Sequence, residues 1–417
     1  MKLKLVMLAL IVCLILISCS SRDGGDDFEK DKSYKLKVMA ADEQSFMTNY
    51  GNYVKARFPN VEFQVIPINQ IFGDEDLQES LLQLVAAEQP DVFVGMPFFM
   101  IRMLQDSNGL VSLSNVIGKD TLSEIHPGVK QLMEHLGEGE IYSIPTSFIS
   151  QVLFYNKRVF AEQGITLPIE STNWQEFLQL IRRFVNTDSL GLYLSYSDPS
   201  ALLTQIGQSE GLAYISPQSH KVTLNTDSWA NIAGMVKELY REGVINDWDS
   251  ADSSDLFLQG KAAIMVGDSS YYTQLEAANL PFEWGVLPLP GADQTKIEIQ
   301  PEGLVAINSK SQHEAEAVRF IRFLLSDQMA DIINHTTNLL PSALSFSYNT
   351  DANHPLHFLY TRDADTFITE NEERIFSMSG DFQKYMAETM KRMVLDEVGL
   401  REGLQLIEEF GNNQTNK

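Results

Sequence analysis

The sequence predicts an α/β fold, with parallel-rich sheets flanked by helices. Three observations carry this. Residues 34–95 switch in turn between period-2 and helical apolar spacing, in the order β-α-β-α-β. Residues 173–325 alternate again between amphipathic helices and short apolar strands. The chain has 417 residues, 44% of them hydrophobic, enough for two or three domains at about 150 residues each.

Each element has its own local signal. Lys35 to Ala40 alternates and reads as a strand. Glu43 to Phe58 carries Phe46, Tyr50, Tyr53, Val54 and Phe58 at helical spacing. Val61 to Ile68 alternates, and Leu77 to Glu88 sets Leu77, Leu81, Leu84 and Val85 on one side of a helix. Val92 to Gly95 is a short buried strand. Asn173, with Glu176 three residues on, opens a helix as a capping box. Leu190 to Ser195 is strand-like, and Asp198-Pro199 opens another helix. Asp227 to Glu242 is amphipathic and ends at Gly243. Asp255 to Gln259 reads as helical, then Ala262 to Val266 as a strand with Gly267 to Tyr271 beyond its carboxyl end. Trp284 to Leu287 and Leu304 to Asn308 are strand-like, and Glu314 to Leu325 is a helix. Leu340-Pro341 breaks the chain, and helices near Asp381–Asp396 and Val398–Gly411 close it. No internal repeat is visible.

The formal charge is −25, with 56 acidic residues against 31 Lys and Arg. Nucleic-acid binding needs clustered Lys and Arg, so that partner is excluded. The charge favours solubility and repels an anionic membrane surface. Only two cysteines occur, Cys13 and Cys19.

Lys2 and Lys4 precede an apolar run, Leu5 to Ile17, which is shorter than the ~20 residues of a membrane span. "LISC" (Leu16 to Cys19) resembles the bacterial lipobox, with a small residue before the cysteine. That resemblance implies a signal peptide over 1–18 and a lipidated Cys19, with palmitate among the expected chains, as first mature residue. Cys13 leaves with the signal, so neither a disulfide nor a cysteine metal site remains. Residues 19–33 are polar, charged and Gly-containing, a flexible tether to the membrane.

The stretch "YSIPTSFISQVLFYNKRVFAEQG" (Tyr142 to Gly164) resembles the signature of extracellular solute-binding proteins of ABC importers, the cluster with the maltose-type oligosaccharide binders. Pro145, Leu153-Phe154, Tyr155-Asn156, Phe160 and Glu162 hold the pattern, and Thr146 departs from it. "NWQEF" (173–177), "LFLQGKAAIMVGD" (256–268), "WGVLPLPG" (284–291) and "EGLVAINSKS" (302–311) follow in the family's order. The likeness covers about Tyr34 to Pro341. It implies the two-lobe periplasmic-binding-protein fold, type II-like, with a ligand cleft between lobes. Lobe 1 is expected over 34–148 plus 284–338, and lobe 2 over 149–283 plus 339–417. Crossovers that act as hinges are expected near Ser147–Gln151, Pro281–Trp284 and Leu339–Ser342.

The implied function is a lipid-anchored extracellular receptor. It captures a small solute, a saccharide or oligosaccharide, and hands it to ABC permease subunits. It works as a monomer and performs no chemistry, with no cofactor and no metal. Ligands of such sheets bind beyond the carboxyl ends of strands. That rule points to Gln44, Met96 and Phe98, and to Asp268 and Tyr271 beyond the strand 262–266; the resemblance adds Ser147, Gln151 and Glu302 as candidate ligand-binding residues. Several have plainer readings: Gln44 as a solvated first turn, Asp268 as a helix cap, Glu302 as an exposed acid, and Tyr155-Asn156 as packing and turn residues. "GQSEG" (207–211) matches the nucleophile elbow and gives the alternative, an exported serine hydrolase using Ser209. Against it, Ser200 to Ile206 reads as helix where the elbow needs a strand. His354-Pro355-Leu356-His357 reads as loop, since a third metal ligand is missing. A third reading is the same fold reused as a sensor partner at the cell surface.

Overall fold

The computed structural model describes residues 32–414, apart from 75, 168–172, 195–197, 217, 220, 249–254, 292, 347–348, 350 and 367–379. The expectations for 1–18, Cys19 and most of the tether lie outside the described residues. Among the described residues no helix is long and apolar enough to cross a membrane.

The first half is built as its periodicity predicts. Strand β1 (Tyr34–Ala40) leads into α1, whose turns are Glu43–Phe46, a π turn Met47–Gly51, and Asn52–Arg57. Asp42 caps α1 by accepting from Ser45 N. Then follow β2 (Val61–Pro67), α2 (Leu77–Glu88) and β3 (Val92–Val94). β1 pairs in parallel with both β2 and β3, with Val38 opposite Val65 and Val92. Helices α3 (Phe98–Asp106) and α4 (Pro127–Leu136) precede β4 (Ser143–Ile149).

β5 (Gln151–Asn156) begins one residue after β4 ends, yet belongs to a different sheet. It is followed by α5 (Lys157–Glu162), α6 (Trp174–Arg182), β6 (Leu190–Leu194), α7 (Pro199–Ser209), α8 (Asp227–Arg241) and β7 (Ala262–Asp268). Asn173 accepts from Glu176 N at the start of α6, as the capping box predicts. The segment read as a helix over 255–259 is instead one turn. Asp255 Oδ1 accepts from Phe257 N and Leu258 N, 2.9 Å each, and the chain reverses at Gly260 before a helix can propagate.

The chain continues through α9 (Tyr271–Ala277), β8 (Trp284–Pro288), β9 (Lys296–Ile297) and β10 (Gln300–Ile307). It ends with α10 (Glu314–Leu324), α11 (Asp327–Thr337), β11 (Leu340–Pro341), β12 (Asp363–Ala364), α12 (Gly380–Val394) and α13 (Leu400–Gln414).

One sheet has the order β11-β4-β10-β3-β1-β2, another β6-β7-β5-β8, and a short third pairs β12 with β9. Both larger sheets are mixed. Pairs are parallel where a helical crossover joins the strands, in β1–β2, β1–β3 and β6–β7; β10, β4, β11, β5 and β8 pair antiparallel.

Sheet membership corrects two expected crossovers. β8 pairs with β5, so the return to the six-stranded sheet comes after Pro288, not at Pro281–Trp284. Leu340-Pro341 does not leave that sheet but joins its edge, opposite Phe148 and Ser147. Beyond it, Ser342 N donates to Thr146 O, and Tyr360 packs on Phe148 and donates to Pro341 O, so these residues stay with the first sheet. Only α12 and α13 join the second core, through Phe382, Met390, Met393 and Leu404. The sequence misled here because a Leu-Pro pair reads as a break, whereas proline is tolerated at a sheet edge.

His126 is fully buried at the N-terminus of α4. Its Nδ1 accepts from Gly128 N (3.0 Å), and its Nε2 donates to Leu359 O (2.8 Å). Both contacts need the neutral ring, and burial pushes its pKa down to about 4. Below pH 6.5 the unfolded chain takes up a proton that the native ring refuses until about pH 4. Native stability should therefore fall by about 3 kcal/mol as pH drops through that window. Thermal melts across it should show a shallower fall in His126→Asn, which keeps a cap acceptor; parallel curves would refute this.

Candidate functional site

A cavity of about 200 Å³ opens at the carboxyl ends of β1 and β3, where a mixed α/β sheet presents its ligand site. Ala40, Ala41 and Gly95 form its floor, while Ser45, Asn49 and Tyr50 of α1 face it from one side. The π turn in α1 widens the helix at this wall, a distortion common at functional sites. Ser147 of β4 and Glu302 of β10 are cross-strand partners on the opposite wall, and Thr337 closes the end of α11.

Gly303 fixes how closely these walls meet. Its φ is +64°, and a Cβ placed there would lie 2.4 Å from both Tyr50 Oη and Thr146 Oγ1. Only glycine allows that backbone conformation and that approach together. The Tyr50 and Thr146 hydroxyls thus meet over Gly303, with the Glu302 charge within electrostatic reach of Tyr50. Glu302 keeps contact with solvent, yet the cavity walls desolvate its carboxyl and raise its pKa. Burial also raises the Tyr50 hydroxyl against a Thr146 hydrogen bond that lowers it, and the Glu302 charge adds to the rise. Tyr50 therefore stays a neutral hydroxyl that both donates and accepts.

The passage between sheets follows β4, the strand that carries the lining residue Ser147. Ser150 stands alone between Ile149 of β4 and Gln151 of β5. Ser269 pins it twice: Ser269 N donates to Ser150 O (2.8 Å), and Ser150 N donates to Ser269 Oγ (3.2 Å).

The expected site residues divide. Ser147 and Glu302 come together in the cavity. Gln44 is exposed in the first turn of α1, beside the lining Ser45. Gln151 and Asp268 are cross-strand neighbours on the four-stranded sheet. Gln151 lines a second cavity of about 50 Å³ with Gln294, Glu298 and Asp365. Asp268 is engaged locally, accepting from Ser270 N (2.9 Å). Tyr271 turns into its own lobe, donating to Asp255 Oδ2 and packing edge-on against Phe154 at 5.4 Å. Met96 is buried in the core, and Phe98 packs against that core at the start of α3.

Tyr50, Asn49 and the Gly303 contact were not legible as a site. Tyr50 fits the apolar stripe of α1, and Gly303 signals its role only through φ and Cβ geometry, which sequence does not display.

The serine-hydrolase reading fails on local structure. Ser209 lies in the last turn of α7, not at a strand-to-helix elbow. Its Oγ donates to Ile206 O (2.9 Å) and accepts from Trp174 Nε1, so it is engaged in packing. His354 Nδ1 accepts from Leu356 N (3.1 Å), a loop contact. Among the described residues no three His, Cys, Asp or Glu side chains are grouped to hold a metal.

A family model described as bacterial extracellular solute-binding protein matches residues 35–331. The chain belongs to this family. No curated protein sequence matches significantly. A family 1 extracellular solute-binding protein from Alicyclobacillus acidocaldarius superposes with TM-score 0.68 at 17% identity, covering 93% of this chain and 100% of its own. The sugar-binding protein MalE from Xanthomonas citri gives TM-score 0.69 at 16% identity, covering 91% and 96%. An ABC substrate-binding protein from Listeria monocytogenes, solved with cycloalternan, gives 0.60 at 16% identity, covering 92% and 100%. These likenesses carry the two-lobe fold, and the family is one of extracellular binding proteins.

Gly303→Ala should cost about 1–3 kcal/mol from φ strain and push Tyr50 and Thr146 apart. Gly73→Ala has positive φ but open space around it. It should cost less in a thermal melt and leave the cavity unchanged. Equal losses in the two variants would show that the close approach at Gly303 is unimportant.

Proposed function

We propose that this protein is a lipid-anchored receptor that captures a saccharide between its two lobes and delivers it to an ABC importer, without catalysing a reaction. The observation that carries this is the cavity lined by Tyr50, Ser147 and Glu302, with Ser147 on the strand that leads into the single-residue passage at Ser150. A polyol buried by lobe closure must find a partner for every hydroxyl, and this wall offers both donors and acceptors. Phe46 and Ile333 line the same cavity and suit the apolar face of a sugar ring. The sugar-bound and sugar-binding neighbours support the ligand class. Phe72, 49% exposed in the loop after β2, supplies an aromatic surface at the same end of the sheet.

The lipobox-like LISC supports acylation at Cys19, and residues 20–33 would then serve as the leash. One fatty chain binds marginally, so stable attachment needs two or more. Cys19→Ala should abolish labelling by a clickable palmitate analogue and release the protein; unchanged labelling would contradict the anchor.

Ligand binding stabilises the folded state by RT ln(1 + [L]/Kd), about 2.7 kcal/mol at a hundredfold excess over Kd. A thermal-shift screen should therefore find saccharides that raise Tm. Glu302→Gln and Tyr50→Phe should each weaken binding about tenfold or more, as expected for a lost hydrogen bond to a charged or buried partner. Binding should also weaken as pH falls through the Glu302 pKa, which lies above its ordinary 4.5. The Glu302→Gln profile should be flat there. No shift with any saccharide would end this reading.

A further inference from the structure

We infer that the cleft takes uncharged or amine-bearing saccharides and rejects those carrying a carboxylate or phosphate. The inference rests on the saccharide reading and narrows it to a charge class.

The described residues lining the main cavity include one ionisable acid, Glu302, and no Lys, Arg or His. Strand-end segments of both sheets are also acidic. Asp42 follows β1, Asp74 and Asp76 follow β2, Asp198 follows β6, and Asp268 ends β7. Among the described residues of these segments, no cation balances them. The second cavity does hold a cation, Lys296. It is paired there with Asp293 at 3.5 Å, and Glu298 and Asp365 share that cavity.

The physical consequence follows from closure. A carboxylate removed from water must be met by donors or by a cation. Sugar hydroxyls can donate to Glu302, and an ammonium can pair with it. A uronate or sugar phosphate brings a second negative charge into the same desolvated space. Like charges at close range in a low dielectric repel, and no guanidinium or ammonium is at hand to neutralise either one. The overall charge of −25 adds a long-range field of the same sign. The lining hydroxyls of Tyr50 and Ser147 fit a neutral polyol equally well.

The test uses the full-length chain and matched probes: neutral gluco- and galacto-oligosaccharides, their amino-sugar counterparts, and the corresponding oligouronates. Calorimetric titration at low salt should give neutral or amino-sugar binding at least about tenfold tighter than the matched uronate. That gap should shrink at high ionic strength and in Glu302→Gln. A uronate that binds as tightly as its neutral match, or more tightly, overturns the charge inference while leaving saccharide capture intact. Absence of binding to every probe, with uronates included, overturns saccharide capture itself and this inference with it.

Discussion

The whole arrangement depends on one constraint: the chain passes from one sheet to the other in a single residue. Ser150 separates a strand paired with Gln300 and Pro301 from one paired with Asp268 and Pro288. So short a passage holds the two sheets in register at that point while leaving few torsions to absorb relative motion. Ser269 restrains it through two backbone contacts. The cavity at the ends of β1 and β3 shares β4 with this passage, through the lining residue Ser147.

That link gives the polar wall its meaning. Tyr50 and Thr146 approach so closely over Gly303 that no side chain fits there. The Tyr50 ring packs against the core while its hydroxyl edge faces the cavity wall. That placement makes sense where hydroxyls must be presented to a ligand that replaces water.

The sequence showed most elements because their signals are local. The first β-α-β-α-β run, the capping box at Asn173 and the helix opened by Asp198-Pro199 all depend on neighbours within a few residues. Sheet membership does not. Trp284–Pro288 and Leu340–Pro341 read as a strand and a break, and only pairing shows which sheet each joins. The site was half legible. Ser147 and Glu302 come from the family resemblance of their segments, since neither stands at the carboxyl end of its strand. Tyr271 and Asp268 lie near strand ends, but Asp255 and Ser270 engage them, and those contacts depend on turns whose geometry the spacing leaves open.

The central claim is that a saccharide draws the two sheets together. Among the described residues there is no cysteine, so spin labels can be placed at Glu62→Cys on β2 and Glu238→Cys on α8, both exposed. Pulsed dipolar spectroscopy should show the inter-label distance shift and narrow when a binding saccharide is added, with Glu302→Gln requiring more ligand for the same change. A distance distribution that stays the same at saturating saccharide would contradict the account.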